Sequence, residues 1–226
     1  MCLRDGEKIV LALVVVSFLV ATWFYPQMPD KVVSHWNAQG QPDGFMGKLW
    51  GTFLMPAVLL LMGLLFLAIP RIDPLKENIR KFRNYYDGFI ILLLVFMLGI
   101  QAQTILWNIG VPVDFALTIP LGLGVLFYGV GILLEKSKRN WFIGIRTPWT
   151  MSSDGVWDKT HELGGKLFKA CGALSILGGI LAGNNSFWFA VIPVLAASIF
   201  LVYYSYAEFR KEKKKAGKGK RQKREK

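Results

Sequence analysis

Apolar residues in this chain gather into six long stretches, at residues 9–25, 51–69, 88–107, 115–134, 167–183 and 187–206, separated by polar connections. Each is close to the ~20 residues that a helix needs to cross about 30 Å of hydrocarbon. Lipid offers no water to an exposed amide, so such segments must close their hydrogen bonds internally, and the pattern predicts helices. The expected fold class is all-α: a polytopic integral membrane protein built as a bundle of six transmembrane helices. Ahead of the fifth stretch the period changes. Trp157, Thr160, His161, Gly164 and Phe168 fall on one face, while Asp158, Lys159, Glu162 and Lys166 fall on the other. That spacing predicts a short interfacial amphipathic helix before the fifth span, capped by Ser152 or Ser153. The first stretch runs on through Trp23 and Phe24 without a small-x-small cleavage site, so it reads as a retained span and not as a secretion signal.

Charge sets the expected direction. Of 27 Lys and Arg, 2 lie before the first span, 5 in residues 70–87, 6 in residues 135–166 and 11 in the tail from Arg210. The opposite connections hold only Lys31 and Lys48. The positive-inside bias therefore predicts a multi-pass protein of the cell membrane with both termini in the cytoplasm. Residues 1–70 make a first pair of spans with an outer loop at 26–50. Residues 71–209 make a four-span region with a cytoplasmic loop at 135–166, and residues 210–226 a basic tail. The tail carries most of the chain's net charge of +12. Its composition predicts disorder, with anionic lipid head groups as the partner and no direct contact with nucleic acid.

Small residues mark where helices should approach. Cys171, Ser175, Gly179 and Gly183 recur every four residues in the fifth span, and the fourth repeats Gly122 with Gly129 and Gly124 with Gly131. Both patterns predict packing seams. Gln101, Gln103 and Thr104 are polar at membrane depth. They predict either hydrogen bonds between helices or the wall of a hydrated path, which leaves a small channel or transporter, or a structural membrane protein of unassigned role, as the alternative functions. Cys2 and Cys171 lie too far apart in depth to predict a disulfide.

Two connections carry chemistry. In the outer loop, turn residues around 37–40 and 42–44 predict two reversals that gather His35, Trp36 and Phe45 at the membrane rim. His35 and Asp43 supply only two plausible metal ligands, too few for a zinc site, and no metal or other cofactor is expected. In the cytoplasmic loop, Trp141, Phe142, Arg146, Pro148 and Trp149 place three large aromatics around one guanidinium, the composition of a docking surface or of an interfacial segment. No nucleophile beside a base, intramembrane carboxylate pair or phosphate cradle is evident, so no enzymatic activity is expected.

The same two segments resemble the SdpI family of bacterial immunity proteins. His35-Trp-Asn37, Gly40 and Pro42-Asp-Gly44 are similar to the outer loop of such proteins. Trp141-Phe, Gly144-Ile-Arg-Thr-Pro-Trp149, Ser152-Ser, Val156-Trp, Lys159-Thr-His161 and Gly164-Gly-Lys-Leu-Phe168 resemble the family signature. The resemblance implies resistance to a secreted peptide toxin, and a cytoplasmic transcriptional repressor held at the membrane. It implies an outer ligand surface of His35, Trp36, Asn37, Gly40, Pro42, Asp43, Gly44 and Phe45. It also implies an inner docking surface of Trp141, Phe142, Gly144, Arg146, Thr147, Pro148, Trp149, Trp157, Thr160 and His161. The basic tail has no counterpart in the family pattern.

Overall fold

The computed structural model describes residues 3–224. Six helices long and apolar enough to cross a membrane carry the fold: α1 (Asp5–Phe24), α2 (Lys48–Ile72), α4 (Arg83–Asn108), α5 (Phe115–Lys136), α7 (Asp154–Leu181) and α8 (Ser186–Arg224). Short helices α3 (Lys76–Lys81) and α6 (Pro148–Ser152) lie in the two basic connections, and strands β1 (Lys31–Trp36) and β2 (Pro42–Gly47) lie in the first loop. One end of the bundle therefore carries a β-hairpin. The other carries the N-terminus, α3 and the signature loop, tied together where Asn78 donates to the Arg139 carbonyl (2.8 Å) and Asp73 accepts from the Trp141 amide (2.9 Å).

Glycine dictates how α5 meets its neighbours. A Cβ at Gly124 would come within 2.7 Å of the Gly172 carbonyl, and one at Gly131 within 2.7 Å of the Gly165 carbonyl. Those two pairs share a seven-residue spacing, so α5 and α7 run backbone against backbone for two turns of contact. Gly122 and Gly129 face the opposite way, toward Phe96 and Leu92 of α4. Ser175 of the four-residue stripe also reaches the seam, donating to the Pro120 carbonyl at 2.7 Å.

Prolines inside spans free carbonyls that hydroxyls then satisfy. Pro120 cannot donate to Ala116, and the Ala116 carbonyl instead accepts from Ser186 at the start of α8. Pro70 leaves Phe66 without its helical partner, and the Tyr86 hydroxyl donates there at 2.6 Å. Lipid makes such repairs necessary, because no water would meet the orphaned oxygen.

The polar side chains of α4 act between helices. Gln101 is buried and pairs twice with Ser17 of α1, at 2.5 Å from the hydroxyl and 2.9 Å to the carbonyl. Gln103 accepts from Thr118 of α5 at 2.5 Å, and Thr104 turns back on the Ile100 carbonyl. The pairs made by Gln101 and Gln103 favour packing between helices over a hydrated path, whereas Thr104 also borders the space under the β-hairpin.

Three expectations need correction. The amphipathic segment does not turn into the fifth span but is its first half, one unbroken α7, because Ser153 caps a helix that nothing interrupts before Leu181. The tail continues α8 as helix to Arg224 where its charge run predicts disorder. Adding residues to a formed helix costs far less than starting one, and Glu208 fastens the first tail turn to Lys159 (2.9 Å) and Lys211 (2.6 Å). Residues 42–44 form strand and not a second reversal, so an otherwise all-helical protein carries a two-stranded sheet.

Candidate functional site

Asn37 builds the tip of the hairpin. Its side-chain oxygen accepts from the amides of Gln39 and Gln41, both at 3.0 Å, and its carbonyl accepts from Gly40. Gly40 has φ of +75°, which an L-residue rarely adopts, and a Cβ there would press within 3.1 Å of the Ala116 amide. The turn thus seats the hairpin directly on the first turn of α5. Behind it, Trp36 stacks on Phe115 with ring centres 4.1 Å apart and meets Trp107 edge-on at 6.0 Å. Asn108 at the end of α4 imitates a neighbouring strand, accepting from the Val33 amide (2.8 Å) and donating to the Val33 carbonyl (3.0 Å).

These contacts border a half-open cavity of about 420 Å³ among the hairpin, α2, α4, α5 and the start of α8. His35, Trp36, Asn37 and Gly40 line its hairpin side, and Ile100 and Ile119 are among the residues that line its floor. The walls are chiefly apolar with polar groups at the hairpin lip, the usual make-up of a site for an apolar group with one oriented polar end. His35 Nδ1 lies 2.5 Å from Asp43 Oδ1 across the strands, both exposed. The remaining residues of the outer set do not reach the cavity. Gly44 leaves room for the His35 Cβ, Pro42 and Asp43 are exposed on β2, and Phe45 faces out beneath Lys31, whose ammonium sits 4.6 Å from its ring centre.

The opposite end divides between buried and exposed members. Trp157 and His161 are buried and stacked, with ring centres 3.9 Å apart, and the Trp157 indole donates to the Ser137 carbonyl. His161 Nε2 accepts from the Ile145 amide at 2.9 Å, which assigns the ring proton to Nδ1, 2.8 Å from the Trp157 carbonyl. Gly144 has φ of +114°, and a Cβ there would run into His161 Nε2. Thr147 and Thr150 cap each other at the start of α6, and the Thr147 hydroxyl meets Ser205 of α8 at 3.0 Å. Thr160 is buried as well. Arg146, by contrast, hydrogen-bonds the Trp141 carbonyl and is exposed, with no ring stacked on it among the described residues; Trp149 packs on Tyr206 of α8 instead. Trp141, Phe142 and Pro148 are exposed.

A third cluster escapes the sequence reading because its members lie in three separate elements. The Glu7 carboxylate, 3% exposed, meets Arg71 of α2 at 2.8 Å and Arg83 of α4 at 2.9 Å, and Arg83 also holds Asp87 at 2.7 Å. It locks α1, α2 and α4 at the signature end. Trp107, Asn108 and Phe115, which shape the hairpin cavity, also lack a local signal, since an aromatic at a span end is ordinary in any membrane helix.

Comparison with known proteins matches two separate stretches of the chain to family models. Residues 136–205 match the model of the SdpI/YfhL protein family, and residues 12–60 match that of a domain of unknown function, DUF1648. The immunity protein SdpI of Bacillus subtilis (strain 168) is 26% identical over 207 residues, 91% of this chain and 97% of its own length. No solved structure matches significantly. The SdpI resemblance read from the sequence holds, with the hairpin and the signature falling under separate models.

Proposed function

We propose that this SdpI-like membrane protein protects its cell against a secreted peptide toxin, by seating an apolar part of that peptide in the cavity beneath the hairpin. The observation that carries the reading is the cavity itself, roofed by His35, Trp36, Asn37 and Gly40 and floored by helices. It adds to the similarity to a protein named for immunity. A volume of about 420 Å³ accommodates large apolar side chains, and His35 in the lining, exposed and paired with Asp43, offers a hydrogen bond to a peptide backbone entering from the membrane surface. The positive-inside bias supports an outward position for this end, where a secreted peptide arrives. An impermeant maleimide should then label a cysteine placed at Gln39 in intact cells, and one placed at Lys138 only after the membrane is opened.

A repressor tethered at the signature end is a second reading with less behind it. Trp141, Phe142, Arg146 and Pro148 are exposed, whereas Thr147, Trp157, Thr160 and His161 are spent on internal packing. The signature thus serves chiefly to hold α7 and α8 to the loop. For the toxin role, the test is survival of a toxin-challenged strain that carries Trp36→Ala with Asn37→Ala at unchanged membrane abundance. The proposal expects protection to vanish, and full protection by that variant refutes it.

A further inference from the structure

We propose a phospholipid site at the signature end, where an acyl chain of an anionic phospholipid fills a crevice between α2, α4, α5, α7 and the signature loop. Its phosphate meets Lys136 and Arg146. The crevice measures about 320 Å³ and is walled by Phe66, Phe89, Leu133, Phe142 and Phe168, with Tyr86 at its side. Nothing polar inside calls for water, since the Tyr86 hydroxyl is already given to the Phe66 carbonyl. Water is a poor occupant of such a space, and an empty one forfeits the dispersion contacts of every ring around it. Hydrocarbon from the surrounding bilayer satisfies both conditions.

Charge selects the head group. Most cations near this end are answered by carboxylates: Lys138 by Asp158 (3.0 Å), Arg139 by Asp154 (2.8 Å), Lys159 by Glu208 (2.9 Å), Lys166 by Glu162 (2.8 Å) and Lys169 by Glu135 (2.6 Å). Lys136 and Arg146 make no carboxylate pair among the described residues, and each follows a lining residue of the crevice within two positions of chain. Lys136 lies two residues beyond the lining Leu134, its ammonium 5.7 Å from the ring centre of Tyr85, and Arg146 follows the lining Ile145. Arg146 spends a guanidinium N–H on the Trp141 carbonyl, which orients the group and leaves further donors for a phosphate oxygen. Trp141 and Phe142 are exposed on the same loop, as residues at a head-group boundary are. The site is separate from the basic tail and independent of the toxin reading.

The test uses the full chain in nanodiscs containing phosphatidylglycerol or phosphatidylcholine probes that carry the same diazirine in one acyl chain, with cross-links mapped by mass spectrometry. Phosphatidylglycerol should label the stretch 130–145 and Phe168 on the order of tenfold more than phosphatidylcholine does, from two cations near the surface. Lys136→Gln with Arg146→Gln should bring the two probes level. Val130→Phe, which fills the crevice and leaves the charges in place, should remove the label there while labelling of other spans persists, and it carries the test alone if the charge variant fails to fold. Equal labelling by the two lipids, or labelling that survives Val130→Phe, overturns the proposal. So does displacement of the probe by excess soluble glycerol 3-phosphate, which assigns the cations to free phosphate, or a co-purifying protein cross-linked in the crevice.

Discussion

Gly144→Ala should be costly for a reason that Gly110→Ala does not share. Both glycines have positive φ, +114° and +87°, so either substitution stores backbone strain of about 1–3 kcal/mol. At Gly110 the new methyl meets open space, whereas at Gly144 it meets His161 Nε2 and the Trp157 ring. Moving His161 deprives the Ile145 amide of its acceptor at 2.9 Å and separates the stacked rings, and a buried group left unpaired costs roughly 1–3 kcal/mol more. The sum, about 2–6 kcal/mol, is a large share of a typical total of roughly 5–15 kcal/mol. Thermal unfolding in detergent can be followed by maleimide reaction at Cys171, buried in α7, in a Cys2→Ser background. At roughly 2–4 °C per kcal/mol, Gly144→Ala should lower the midpoint by about 4–24 °C and Gly110→Ala by clearly less. In a His161→Ala background the Gly144→Ala cost should shrink to its backbone share, because the obstacle is gone. Equal shifts for the two glycines, or a Gly144→Ala cost unchanged by His161→Ala, would refute the packing role assigned to the signature.

Other substitutions probe the bundle. Gly131→Leu and Gly172→Leu should each force α5 and α7 apart, because the seam leaves no room for a Cβ beside the facing carbonyl, and monodisperse protein after extraction should fall steeply relative to Gly217→Leu in the tail. Glu7→Gln should leave Arg71 without its carboxylate while Arg83 keeps Asp87, at a cost of about 1–3 kcal/mol seen as a lowered unfolding midpoint, and an unchanged midpoint contradicts the clamp.

The spans were legible because a bilayer imposes one length and one hydrogen-bonding solution, so six apolar stretches admit little but six helices. The α5 side of the closest seam was legible too, since Gly124 and Gly131 repeat at seven residues. On α7 the stripe of Cys171, Ser175, Gly179 and Gly183 predicts a seam and meets α5 at Ser175 and Gly179, yet the closest backbone contact falls at Gly165 and Gly172, because the exact rotation of a helix against its neighbour is not recorded in a single sequence. Asn37 announced its turn through local hydrogen bonds, while Pro42-Asp43-Gly44 carries turn residues that cross-strand pairing with β1 overrides. The cavity was not legible: Trp36 meets Phe115 across 79 positions of chain, and each looks like an ordinary interface aromatic. The inner set was found as residues but its role was not, since the signature mixes buried Trp157 and His161 with exposed Trp141 and Arg146 in one local pattern.

In the proposed function, the space beneath the hairpin receives the toxin. Ile119→Trp reduces that space from the helix side while leaving His35, Trp36, Asn37 and the whole outer surface in place. Cells carrying this variant at wild-type membrane abundance, challenged with the secreted peptide, should die at close to the rate of cells lacking the protein. Survival equal to that of the wild type would show that protection does not pass through the cavity.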